Sequence, residues 1–75
     1  MQRVIEGLLY DTETSIVIHS EEDTMRVLYQ TPHGKFFMFY PVGEFVPKTE
    51  QSAKDYLGKY NVEKYIELFG EPEEA

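Results

Sequence analysis

His19 and His33 are the only imidazoles in a 75-residue chain that contains no cysteine. His19 stands directly before Ser20-Glu21-Glu22-Asp23, so an imidazole and several carboxylates fall within one turn. That grouping makes a divalent-cation sensor one conceivable reading. His33 lies in Thr31-Pro32-His33-Gly34-Lys35, where a polar turn residue accounts for it. Closed zinc sites generally use four nitrogen or sulfur ligands, more than two histidines supply. Nucleophilic catalysis needs a hydroxyl or thiol beside an oriented base. Ser15, Ser20 and Ser52 have no such local support, and no Gly-x-Ser-x-Gly elbow occurs. The glycines at 7, 34, 43, 58 and 70 are scattered, so no phosphate-cradling loop is formed. With 14 acidic residues, paired carboxylates recur by chance and mark no acid–base couple. The expectation is a protein that is not an enzyme, with no cofactor and no metal site.

The carboxylates themselves fall into groups: Glu21, Glu22 and Asp23; then Glu63 and Glu67, four residues apart on one helical face; then Glu71, Glu73 and Glu74. Against seven basic residues they give a net charge of −7. A charge of this size also serves solubility in a small domain. It disfavours direct nucleic-acid binding, which needs a basic face to displace counterions. It favours a basic partner, and nucleic-acid-binding proteins are the commonest of these. Lys54, Lys59 and Lys64 interrupt the acidity of the C-terminal segments. No stretch approaches the roughly 20 apolar residues of a membrane span. The start, Met1-Gln-Arg-Val-Ile-Glu6, reaches a charge before a secretory apolar region forms. Together with the missing cysteines this points to a reducing, cytoplasmic setting.

Few elements are available to position these groups. Arg3–Tyr10 reads as a first strand weakened by Gly7. Asp11–Thr14 reads as a turn. Ser15–His19 could open a helix, but three successive β-branched residues favour a strand. Glu21–Asp23 is an acidic turn and Thr24–Thr31 a third strand. Pro32 and Gly34 suit a three-residue hairpin loop, leading into a strand at Phe36–Tyr40. Residues 41–48 read as a connection. Thr49 is a helix N-cap, with Ala53, Tyr56, Leu57 and Tyr60 on one helical face. Asn61 caps a second helix bearing Val62, Tyr65, Ile66 and Phe69, which Gly70 and Pro72 close. The predicted fold is α+β: an antiparallel meander of three to four strands packed on two short C-terminal helices. It forms one domain over residues 1–70, followed by an acidic tail at 71–75.

Phe36–Tyr40 does not alternate apolar with polar. Phe37 and Phe39 point to one face, and Phe36, Met38 and Tyr40 to the other. In the preceding strand Met25, Val27 and Tyr29 share a face. Two short helices cover one face of such a sheet. The second must be covered by curling, by the 41–48 connection, by self-association or by a partner. Left open, it would mark an interaction site, where tyrosine is enriched.

The segments Leu8-Leu-Tyr-Asp-Thr-Glu-Thr14, Leu28-Tyr-Gln-Thr-Pro-His-Gly-Lys-Phe-Phe-Met38, Pro47-Lys-Thr-Glu-Gln-Ser-Ala-Lys-Asp-Tyr-Leu57 and Tyr65-Ile-Glu-Leu-Phe-Gly70 resemble those of short acidic proteins from phages and other mobile elements. The spacing Leu-Tyr-x-Thr-x-x-Gly-x-x-Phe carries the resemblance and encodes a hairpin. Such proteins are similar in kind to anti-CRISPR proteins, which bind a CRISPR effector and block its guide or target-DNA path. The resemblance implies no particular site residue.

The leading expectation is therefore an inhibitor of this kind, working in the host cytoplasm on a basic nucleic-acid-binding protein or CRISPR effector. Glu21, Glu22, Asp23, Tyr29, Phe37, Phe39, Glu63 and Glu67 are its expected partner contacts. The alternative is a self-associating structural or regulatory module that forms a homodimer through the second sheet face.

Overall fold

A computed structural model describes residues 1–75. Its strands are β1 (Gln2–Ile5), β2 (Leu8–Asp11), β3 (Ile16–Ser20), β4 (Val27–Gln30), β5 (Phe36–Phe39) and β6 (Phe45–Lys48), and its helices are α1 (Glu50–Tyr60) and α2 (Val62–Phe69). β3-β4-β5-β6 form an antiparallel sheet in chain order, while β1 and β2 form a separate two-stranded ribbon. The fold is α+β with the helices at the C-terminus, and the Ser15–His19 segment is a strand.

Two turns of one design shape the sheet. In Thr31-Pro32-His33-Gly34-Lys35, the Gly34 N–H donates to the Thr31 carbonyl at 2.9 Å and the Thr31 N–H to the Lys35 carbonyl at 2.8 Å. In Tyr40-Pro41-Val42-Gly43-Glu44, the Gly43 N–H donates to Tyr40 at 2.8 Å and the Tyr40 N–H to Glu44 at 2.9 Å. Proline presets the first central dihedral, and Gly34 and Gly43, at φ of 84° and 88°, take the left-handed position that closes a three-residue loop. Residues 41–48 are thus not a mere connection: they hold a hairpin turn and β6. Pro47 is tolerated there because β6 lies at the sheet's edge, where a missing N–H need leave no ladder bond unmade.

The first strand expected at Arg3–Tyr10 is instead a hairpin, with Val4 opposite Leu9 and Ile5 opposite Leu8. Glu6 and Gly7 form its two-residue turn with φ of 50° and 79°. Positive φ at both central residues matches the twist of the flanking strands, so Gly7 reverses the chain rather than weakening a strand. The strand expected at Thr24–Thr31 starts later, at Val27, because Met25 also takes a left-handed φ of 60° in the turn.

The helix ends follow their side chains. Thr49 Oγ1 accepts from the Ser52 N–H at 3.0 Å, and Asn61 Oδ1 accepts from the Lys64 N–H at 3.1 Å. Asn61 also ends α1, its own N–H donating to the Leu57 carbonyl at 2.8 Å. At Gly70 the N–H returns to Ile66 and closes α2. The helices pack Ala53 and Leu57 onto Ile18, Leu28, Phe36 and Met38. On the opposite face of the sheet, Tyr10 of the hairpin closes over Phe37 and Phe45. The result is three layers: hairpin, sheet, helices. No helix is long and apolar enough to cross a membrane.

Candidate interaction surface

The second apolar face of the sheet is covered by the β1–β2 hairpin, but only over part of its width. Register places Val17, Tyr29, Phe37 and Pro47 in one cross-strand row and Ser20, Val27, Phe39 and Phe45 in the next. Phe37 and Phe45, on β5 and β6, are buried beneath Tyr10, whose ring meets Phe37 edge-on at 5.4 Å. Tyr29, Val27 and Phe39 are half-buried, and Val17 at the edge is exposed. Tyr29 stacks on Phe37 at 5.1 Å and meets Phe39 edge-on at 6.5 Å. Of the three aromatics expected as contacts, Tyr29 and Phe39 reach the surface together. Phe37 does not: it is fully buried and acts as the floor that orients Tyr29.

The turn between β3 and β4 carries the first acidic group, and its members differ. Glu21 is largely enclosed. Its carboxylate accepts from Arg26 Nε at 2.7 Å, from Thr24 Oγ1 at 2.9 Å and from the Tyr56 hydroxyl on α1. Burial alone would raise this carboxyl, but the hydrogen bonds from Tyr56, Arg26 and Thr24, with the Arg26 charge, outweigh it and hold the group below the ordinary carboxylate range. In the same cluster burial, then the bond to Glu21, pushes the Tyr56 phenol upward, and Glu21 does the same to the Arg26 guanidinium. Glu21 therefore ties the turn to α1 and is not a free partner contact. Its neighbours Glu22 and Asp23 are exposed and take part in none of the chain's three ion pairs.

On α2, Glu63 and Glu67 are both exposed; Glu67 pairs with Lys64 at 3.0 Å and Glu63 has no ion-pair partner. His19 packs against the helix layer. Its Nδ1 lies 3.1 Å from Asn61 Nδ2, and its ring stands edge-on to Tyr56 at 5.8 Å. No three His, Asp or Glu side chains are grouped so as to hold a metal ion.

Other surface features escaped the sequence reading. Val4 and Leu9 face each other across the hairpin and are exposed. Ile16 and Val17 are exposed on β3, the edge strand. A groove of about 490 Å³ runs between the hairpin, the β4–β5 turn and the start of α1, lined in part by Leu8, His33, Lys35 and Lys48. The repeat of Pro-x-Gly at 32–34 and 41–43, and a glycine between two apolar pairs at Ile5 and Leu8, are the signals from which these surfaces could have been traced. No family model, curated protein or solved structure matches the chain.

Proposed function

We propose that this chain is a non-enzymatic binding protein that engages a basic protein partner. One observation carries the reading: the half-covered strip of Val17, Val27, Tyr29 and Phe39 runs into a turn whose Glu22 and Asp23 carboxylates are exposed and unpaired. Aromatic area next to unneutralised carboxylates suits a partner that offers arginine or lysine beside apolar groups. The likeness to short acidic mobile-element proteins extends the reading to an anti-CRISPR inhibitor. In that form it acts in the host cytoplasm and occupies the nucleic-acid path of a CRISPR effector.

The test is retention of target DNA by purified CRISPR effector complexes as the protein is added. Inhibition should be dose-dependent, and Glu22→Lys with Asp23→Lys should weaken it at least about tenfold, the scale of a lost interfacial charge pair. Undiminished DNA binding across all effector types tried overturns the effector assignment.

A second reading, self-association, is favoured by the exposed Val4–Leu9 pair on the hairpin's outer face. Light scattering at high protein concentration decides it, because a strict monomer removes the homodimer.

A further inference from the structure

The four-stranded sheet has two edges, and they are defended differently. β6 ends the sheet with Pro47, which lacks an N–H, and Lys48, a charge that repels chance pairing. β3, Ile16-Val17-Ile18-His19-Ser20, carries no proline, lysine, arginine or carboxylate. Ile16 is 65% exposed and Val17 51% exposed. As an edge strand, β3 turns half of its backbone N–H and C=O groups away from β4 with no strand to receive them. We infer that β3 is a docking edge that takes an extended segment with an apolar centre and basic ends as an added strand. This inference rests on the reading of the chain as a binder of basic proteins and names the part of the partner that is bound.

Charge selects the occupant. β3 is bracketed by acidic turns, with exposed Glu13 before it and exposed Glu22 and Asp23 after it, none of them in an ion pair. Adjacent strands lie about 4.8 Å apart, so residues flanking an added strand come within reach of both turns. Lysine or arginine at each end of the incoming segment meets a carboxylate. A second copy of this chain does not: antiparallel pairing of β3 with itself sets Glu13 of one copy towards Glu22 and Asp23 of the other, between molecules that each carry −7. The register shift between Val17 and His19 acts in the same direction. A bulge bends the strand and shortens the regular ladder, which disfavours long self-pairing more than a short added segment. Val17 lies in the cross-strand row of Tyr29, so the strand's side chains would extend the half-open aromatic strip.

The probe is the peptide Lys-Lys-Val-Thr-Val-Thr-Val-Lys-Lys, added to the full chain and followed by amide hydrogen exchange resolved by residue. The expected result is slowed exchange at β3 amides that point away from β4, with binding at least about tenfold weaker when the four lysines are replaced by glutamate. Equal protection by an all-lysine peptide without the apolar centre overturns the proposal, as does protection at β3 that rises with protein concentration alone, which assigns the edge to a second copy. If β3 stays unprotected while effector DNA binding is still inhibited, this inference falls and the functional reading stands. If β3 is protected by the probe but the chain binds no effector and no other basic nucleic-acid-binding protein, the reverse holds.

Discussion

The two faces of one sheet are closed by covers of different reach. On one side α1 and α2 seal Leu28, Phe36 and Met38. On the other, two four-residue strands seal Phe37 and Phe45 and leave Tyr29, Val27 and Phe39 half open. The strands beneath carry large apolar side chains on both faces, so the difference lies in the covers. An 11-residue and an 8-residue helix span a four-stranded sheet, whereas a ribbon two strands wide does not. Burial on a small domain is scarce. In the binding function proposed above, the half-exposed Val27, Tyr29 and Phe39 of the hairpin side are the area left for contact.

The largest test of this difference is a pair of truncations. Leu57→Ala, in the sealed layer, should cost about 2–5 kcal/mol because it opens a cavity in a packed core. Tyr29→Ala, on the half-open face, should cost only about 1–2 kcal/mol, as expected where the side chain already meets solvent. Urea midpoints at unchanged slope measure both; equal costs, or the reverse order, would break the comparison.

A smaller effect tests how the helix layer is held. Glu21→Gln keeps the shape of the side chain but removes the charge that Arg26 and Tyr56 bond to, and should cost about 1–2 kcal/mol, the scale of a charge-assisted hydrogen bond. Because the folded-state value of Glu21 lies below its ordinary value of 4.5, this contribution is fully present above that pH. It is lost as pH falls through the lower folded value. Stability measured from pH 6 to pH 2 should therefore show the wild type converging on the Gln variant at the acid end. A constant gap over that range would mean that the charge plays no part.

The smallest expected change sharpens the other side. Glu6→Asn supplies the residue that best tolerates the left-handed first position of the hairpin turn, and should stabilise by about 0.5 kcal/mol. Slower amide exchange confined to β1 and β2 would show that the gain belongs to the hairpin cover.

Local chemistry makes much of this legible in the sequence. Thr49, Asn61 and Gly70 announced the helix boundaries because capping is decided within a few residues. The β4–β5 hairpin announced itself through Pro32 and Gly34. The same Pro-x-Gly pattern recurs at 41–43, where Pro47 locally disfavours a strand, a preference that lapses at a sheet edge. Glu6-Gly7 lacks the asparagine or aspartate that usually signals such a turn, so Arg3–Tyr10 reads as a single strand. Exposure of Glu22, Asp23, Glu63 and Glu67 follows from sequence, since solvated carboxylates are the default. The burial of Phe37 depends on Tyr10, and the engagement of Glu21 depends on Tyr56, 35 positions away along the chain. No local pattern encodes either pairing.

The hairpin cover also imposes an order of events. The sheet itself joins neighbours in the chain, β3 to β4, β4 to β5 and β5 to β6, as does α1 to α2, while α1 also reaches back to Ile18 and Leu28. Such short-range connections close quickly. The hairpin is made by the ribosome before the sheet, yet Phe37 and Phe45, on which Tyr10 rests, emerge only with the fifth and sixth strands. It must wait as a solvated ribbon until both strands are in place. On unfolding, the layer that buries least is the first expected to lift. The chain thus carries a built-in sequence of assembly in which the cover is made before the aromatic face it closes.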